Sequence, residues 1–143
     1  MLRKTHLIVG ILGLILFVLQ GQYMDLALAH LVGMEDAPRM LFRSSHIYLL
    51  LAALLNVVLG IYMRGNIRFL IPKLQLVVSS IVLVAPFALL AGFFLEPHLA
   101  DFMRPYTRPA LYALFGIGVI LSLVGVFGWL DPAESQSDPT DAN

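Results

Sequence analysis

Histidines and acidic residues occur together in the polar segments of an otherwise apolar chain. Three of the four histidines, His30, His46 and His98, lie in or beside these segments, near Asp25, Glu35, Asp36 and Glu96. Neutral imidazoles with carboxylates can bind zinc or copper, and two imidazoles on facing helices can ligate a b-type haem. No H-x-x-x-H or H-E-x-x-H motif places two ligands on one helix face. No cofactor is therefore predicted, and a divalent metal or haem b held by these histidines is kept as an alternative.

Two arginine pairs follow the histidines, Arg39 with Arg43 and Arg104 with Arg108. Residues four apart share a helix face, so each pair can reach one carboxylate or phosphate. We expect pairing with nearby acids or lipid headgroups, with a specific anionic ligand as the alternative. The shared order of histidine, acid and arginines also allows two helical-hairpin pseudo-repeats. The candidate polar cluster comprises His30, Glu35, Asp36, Arg39, Arg43, His46, Glu96, His98, Asp101, Arg104 and Arg108.

A second group of polar residues interrupts the apolar runs themselves. Asn56 falls near the middle of the second run, and Ser79 falls in the third. Hydrogen bonding between helices is the simpler interpretation, and a path for a polar substrate is the alternative. His6 stands apart from the other histidines and is interpreted as an interfacial residue. The intramembrane polar candidates are Gln20, Gln22, Asp25, Asn56, Gln75 and Ser79.

The apolar runs that must position these residues are long enough to cross a bilayer. Hydrophobic residues make up 59% of the chain and charged residues 13%, against about 25% charged residues in soluble proteins. A helix needs about 20 apolar residues to span the hydrocarbon core. Four segments qualify, 7–28, 46–63, 74–95 and 110–130. The sequence predicts an all-α integral membrane protein with four transmembrane helices in an antiparallel bundle.

The flanking residues predict the orientation of these spans. Arg3 and Lys4 precede the first span, and residues 64–73 between spans two and three carry two arginines and a lysine. Basic residues favour the cytoplasmic side, so both termini are expected in the cytoplasm of a bacterium with the protein in its inner membrane. Residues 1–130 form the transmembrane domain, and the acidic tail 131–143 is expected to be disordered. A cleaved signal peptide is the alternative for the first segment, with Ala27-Leu28-Ala29 as a small-residue site.

Small residues and one proline indicate how the helices associate. Gly10, Gly13 and Gly21 in the first span allow close packing, and Gly118, Ser122 and Gly125 form a small-residue stripe in the fourth. Pro86 lies inside the third span. Proline lacks an N–H, so the carbonyl near Val82 needs another hydrogen-bond partner, which a neighbouring helix is expected to supply.

These features favour a non-enzymatic function. The chain has no cysteine, which excludes thiolate metal sites and cysteine nucleophiles, and it has no net charge or basic stripe to attract nucleic acid. Ser44 and Ser45 beside His46 lack a nucleophile elbow such as G-x-S-x-G. The leading hypothesis is an accessory or scaffold subunit whose partners are the lipid bilayer and another membrane protein or a second copy. The alternatives are a haem- or metal-binding redox protein and a small dimeric transporter.

Overall fold

The described part of the chain is almost entirely helical. The structure is a computed structural model that describes residues 2–62, 72–99 and 103–126. These residues form four long helices: α1 Leu2–Leu26, α2 Asp36–Tyr62, α3 Pro72–Leu95 and α4 Thr107–Val126.

Three of these helices are long and apolar enough to cross a membrane. The candidate spans are Leu2–Leu26, Asp36–Ile61 and Leu76–His98, and the apolar part of the fourth helix, Thr107–Leu123, is shorter within the described residues. The predicted helical class is thus confirmed, and three of the predicted spans coincide with helices that are apolar enough to cross a membrane. The end of the predicted fourth span and the tail 131–143 lie outside the described residues.

Two helices begin well before the predicted spans. α1 starts at Leu2, and α2 starts at Asp36, inside the segment predicted as a polar outer loop. Asp36 at the helix start and Pro38 within the first turn are both favourable there, since early helical N–H groups have no carbonyl partner in the helix. The length of an apolar run predicts a membrane span, but the helix can continue beyond that run. Arg39 and Arg43 therefore lie within α2 although they precede the predicted span.

Glycines allow α1 and α2 to approach each other closely, because the facing helix occupies the space where a Cβ atom would be. A Cβ atom on Gly10 would lie 2.7 Å from Val57 Cγ2, and one on Gly13 would lie 2.8 Å from Ala53 Cβ. On α2, a Cβ at Gly60 would lie 2.6 Å from Leu7 Cγ. Positions 13, 10 and 7 of α1 face positions 53, 57 and 60 of α2, respectively. Because residue numbers fall along one helix as they rise along the other, the two helices are antiparallel. The predicted close approach is confirmed at Gly10 and Gly13, whereas a Cβ on Gly21 would lie 3.5 Å from His46 Cε1, an ordinary contact distance.

The small-residue stripe of α4 is not used in the same way. Cβ atoms on Gly116 and Gly118 would meet nothing within 4 Å, and Ser122 Oγ donates to the Gly118 carbonyl of its own helix at 2.8 Å. Gly125 lies outside the described side chains. Within this chain, α4 instead packs through Leu114 and Ile117, which join α2 and α3 in one apolar core.

The turns after α1 and α3 each hold a histidine but differ in backbone conformation. Ala29, His30 and Leu31 have φ values of 45°, 58° and 63°, a left-handed region that disfavours L residues by about 1–2 kcal/mol each. The other turn, Glu96–His98, precedes an extended residue and has no positive φ. The duplication of a hairpin unit remains a prediction, and these two turns do not match.

Candidate functional site

Three polar side chains from three helices meet in the interior at one end of the molecule. His6 on α1 lies between Asn56 on α2 and Ser79 on α3, and all three have an exposed fraction of 0%. The distances are 2.8 Å from His6 Nδ1 to Asn56 Oδ1 and 3.0 Å from His6 Nε2 to Ser79 Oγ. We call these three residues the inner network. His6 is therefore buried between helices, and its position at the depth of the membrane interface stays a prediction.

The remaining bonds of Asn56 determine where the protons lie. Asn56 Nδ2 donates to the Ala52 carbonyl and to the Val82 carbonyl, each at 2.9 Å. Both amide hydrogens are used, so Oδ1 is the acceptor and His6 Nδ1 must carry the proton. In a neutral imidazole, Nε2 then accepts the hydroxyl proton of Ser79. The neutral inner network thus satisfies both ring nitrogens and the Asn56 amide.

The hydrogen bond from Asn56 Nδ2 to the Val82 carbonyl replaces the helical bond that Pro86 cannot donate. In an uninterrupted helix, the N–H of residue 86 would donate to the carbonyl of Val82, but proline has none. Asn56 on α2 supplies the missing donor. The predicted need for a neighbouring partner at Val82 is confirmed, and Asn56 bonds between helices as the simpler interpretation expected.

The inner network has the connectivity of a nucleophile, a base and an orienting group. Ser79 Oγ faces one ring nitrogen of His6, and the Asn56 carbonyl holds the other, as in serine hydrolase triads. A hydrolase also needs a substrate position and an oxyanion site beside the nucleophile. Here all three side chains are fully buried, and three cavities at the surface are lined by other residues. The arrangement joins three helices.

Arg3 reinforces the same end of the molecule. Its Nε atom donates to the Gly60 carbonyl at 3.0 Å. Gly60 lies in the last turn of α2, where carbonyls lack helical partners and the helix dipole favours a positive charge. α1 is therefore attached to α2 by a charge-assisted bond as well as by glycine packing.

At the opposite end, Glu96 connects α3 to α4. Its carboxylate is fully buried, and Oε1 accepts hydrogen bonds from the backbone N–H of Tyr106 at 2.9 Å and of Thr107 at 2.7 Å. These amides are at the start of α4, where the dipole favours an anion. Glu96, predicted as a member of an outer polar cluster and as an acid for the arginines, instead anchors the first turn of α4.

A second group of buried polar atoms lies between α1 and α2 near this end. His46 stacks on Phe17 with ring centroids 4.0 Å apart. Gln20 and Ser45 are 3% and 1% exposed, and neither amide atom of Gln20, nor Ser45 Oγ, nor His46 Nδ1 has a protein partner. Unlike the inner network, this group leaves its hydrogen-bonding capacity unused within the described residues.

The three candidate metal or haem ligands occupy different surroundings. His30 is exposed and pairs with Asp25, with 2.5 Å between Nε2 and Oδ1. His98 is exposed, while His46 stacks in the α1–α2 interface. Among the described residues, no three histidine or acidic side chains are grouped closely enough to hold a metal ion.

The two arginine pairs also differ. Arg39 forms an ion pair with Asp36 one turn away, as the simpler interpretation expected. Arg104 and Arg108 make no ion pair within the described residues and line a surface cleft, where Arg108 contacts Tyr112. The hydrogen bond that Arg108 donates to the Tyr112 hydroxyl raises the pKa of Arg108 above its usual value.

The other predicted residues do not gather into one site. Glu35, Gln22 and Arg43 are exposed. Asp101 and the side chain of Gln75 lie outside the described residues. The polar residues predicted as one outer cluster are therefore distributed over the α1–α2 interface, the start of α4 and the surface.

The sequence contained a signal for the buried position of His6. His6, Gly10, Gly13, Phe17 and Gln20 recur at intervals of three and four residues, so they share one helix face. That face carries the glycines through which α1 packs on α2.

Comparison of the chain with protein-family models, with curated proteins and with solved structures gives no match.

Proposed function

We propose that this chain is a four-helix integral membrane protein that serves as a non-enzymatic accessory or scaffold subunit inside the bilayer. The proposal rests on one observation: the interior polar groups of the chain hydrogen-bond one helix to another. The inner network joins α1, α2 and α3, and Glu96 holds the start of α4. These groups maintain the shape of the molecule, and the largest remaining surface is apolar.

The apolar surface supports insertion as an antiparallel bundle. In the candidate span of α1, only 17% of the residues are buried inside the chain. Large side chains such as Ile8, Ile15 and Val84 are at least half exposed. Water would penalise such a surface, whereas lipid or an apolar partner would not. The basic residues near the N-terminus favour a cytoplasmic location for both termini, in an inner membrane.

α4 is the helix best suited to contact a partner. It packs on the rest of the chain through one side only, while Phe115 and Val119 are 58% and 59% exposed. Gly116 and Gly118 leave room for another helix to approach. In a bilayer, where burial of apolar surface gives little driving force, close packing at small residues promotes helix association.

The alternative functions receive less support from the geometry. A transport path through Asn56 and Ser79 would have to break bonds that hold three helices together. A redox centre would require His30, His46 and His98 to approach one another from separate surroundings. Absorbance at the Soret wavelength and metal analysis of the purified protein would test the second alternative.

Site-specific photo-crosslinking in native membranes tests the accessory role. A benzophenone-bearing phenylalanine analogue is placed at Phe115, with Phe93 as the matched control because Phe93 is a fully buried phenylalanine. We expect a discrete heavier protein product from position 115 and none from position 93, with the same product retained after mild detergent extraction. The absence of any protein product at position 115, together with no co-purifying protein, would contradict the proposal.

A further inference from the structure

A surface cleft lies where the chain enters α4. It has a volume of about 650 Å³, within the range of about 300–1,000 Å³ that is usual for small-molecule sites. Arg104 and Arg108 contribute charge, and Met103, Leu111 and Tyr112 contribute apolar surface. We call this the arginine cleft.

The positive charge of the arginine cleft is not neutralised by a described carboxylate. Among the described residues, the acid closest along the chain to Arg104 is Glu96, which is fully buried and accepts hydrogen bonds from the amides of Tyr106 and Thr107. Those amides are therefore occupied, and a ligand in the cleft would be bound by side chains. Arg104 lies just before α4 and Arg108 in its first turn, with the Arg108 N–H bonded to the Arg104 carbonyl at 3.3 Å. Guanidinium groups suit the oxygen atoms of a phosphate.

Tyr112 adds a directed donor to the two charges. Arg108 Nε donates to the Tyr112 hydroxyl at 3.3 Å, and the guanidinium carbon lies 5.8 Å from the centre of the ring. The tyrosine oxygen accepts this bond, so its own proton is free to point at an anion. The remaining N–H groups of Arg108 are likewise available to a ligand.

The cleft also changes in polarity along its length. Arg104 precedes α4, whereas Leu111 and Tyr112 lie in its second turn, toward the apolar part of the helix. A ligand that fills it must carry an anionic group followed by an apolar part. We propose that the arginine cleft binds the phosphate group of an anionic phospholipid, with Arg104, Arg108 and Tyr112 as its recognising residues. This inference rests on the proposed insertion of α4 in the membrane.

Lipid titration of the purified full chain in detergent tests the site. The probes are phosphatidylglycerol, phosphatidylcholine and inorganic phosphate, with bound lipid counted by native mass spectrometry. The variant Arg104→Gln with Arg108→Gln removes both charges. The matched control, Arg39→Gln with Arg43→Gln, removes two arginines at the same spacing that do not line the cleft.

We expect phosphatidylglycerol to bind more tightly than phosphatidylcholine and to lose at least about tenfold in affinity in the cleft variant. The control variant should retain the wild-type affinity. Tyr112→Phe, which keeps the ring and removes the donor, should weaken binding by a few-fold. Unchanged binding in the cleft variant, or equal losses in both double variants, would overturn the site.

Inorganic phosphate distinguishes the source of the ligand. Displacement of lipid by phosphate, dependent on the same arginines, supports the anion site with a soluble phosphoryl compound as its occupant. Lack of displacement supports the lipid headgroup. Because this assay contains no partner protein, its failure would leave the crosslinking test of the accessory role unaffected.

Discussion

At the residue scale, the Asn56 side chain makes three hydrogen bonds, two of them to other helices. Its carbonyl oxygen accepts from His6, and its amide nitrogen donates to Ala52 and Val82. An average hydrogen bond between side chains in a membrane protein contributes only about 0.6 kcal/mol. Leaving a buried group without a partner is more costly, about 1–3 kcal/mol. The importance of Asn56 therefore lies in the groups that its loss would leave unpaired.

Asn56→Leu should lower the free energy of unfolding by about 1–3 kcal/mol, because His6 Nδ1 and the Val82 carbonyl lose their partners. Reversible unfolding in mixed detergent micelles measures the change. Val58→Leu is the matched control, since it introduces the same residue at a half-exposed position of α2, and it should change stability by less than about 0.5 kcal/mol. Equal stability of Asn56→Leu and the wild type would show that the inner network does not stabilise the fold.

The inner network also shows how far residue types alone can predict a site. Pro86 removes a donor wherever it occurs in a helix, so the unpaired carbonyl at Val82 could be predicted without a structure. The partner of His6 could not be predicted this way, because Ser79 is 73 residues distant in sequence. Only the packing of α1 against both α2 and α3 brings these residues together.

At the element scale, the interface between α1 and α2 depends on the absence of side chains at a few positions. A Cβ atom on Gly10 would lie 2.8 Å from the Val57 backbone nitrogen. A methyl group cannot be accommodated there by rotating a side chain, because the obstructing atom belongs to the main chain. The helices would have to separate, which would also stretch the bonds of the inner network.

Gly10→Ala should therefore destabilise the protein by about 1–3 kcal/mol, the usual range for overpacking. Gly116→Ala on α4 is the control, since its Cβ would meet nothing within 4 Å, and it should be neutral or stabilising by up to about 1 kcal/mol. Thermal unfolding of the two variants in the same detergent gives the comparison. A Gly10→Ala variant as stable as Gly116→Ala would rule out the close α1–α2 interface.

The two glycine patterns illustrate a limit of sequence interpretation at this scale. Glycines recur at helical spacing in both α1 and α4, and both patterns predict close helix packing. Only the α1 pattern is used inside the chain. A spacing rule identifies a surface capable of close contact, but the partner of that surface depends on the arrangement of all four helices.

At the scale of the whole molecule, the two ends differ in how their polar groups are used. The inner network is closed and joins three helices. At the other end, Gln20, Ser45 and His46 keep buried atoms without protein partners, and the arginine cleft opens to the surface. The composition correctly predicted a helical chain with segments apolar enough to cross a membrane. It did not predict that the bonded group lies at the end with the N-terminus, since that depends on tertiary contacts.

Insertion of four helices with both termini on one side is the claim from which the accessory role and the headgroup site both follow. The chain lacks cysteine, so single cysteines can be labelled without background. Val32→Cys and Leu99→Cys place a thiol in the two outer connections, at residues 79% and 42% exposed, and Ser137→Cys places one in the tail.

A membrane-impermeant maleimide is applied to intact spheroplasts and then to permeabilised ones. Cysteines at positions 32 and 99 should react in intact spheroplasts, while position 137 should react only after permeabilisation. Reaction of positions 32 and 99 from opposite sides, or of position 137 together with either of them, would contradict the four-span arrangement.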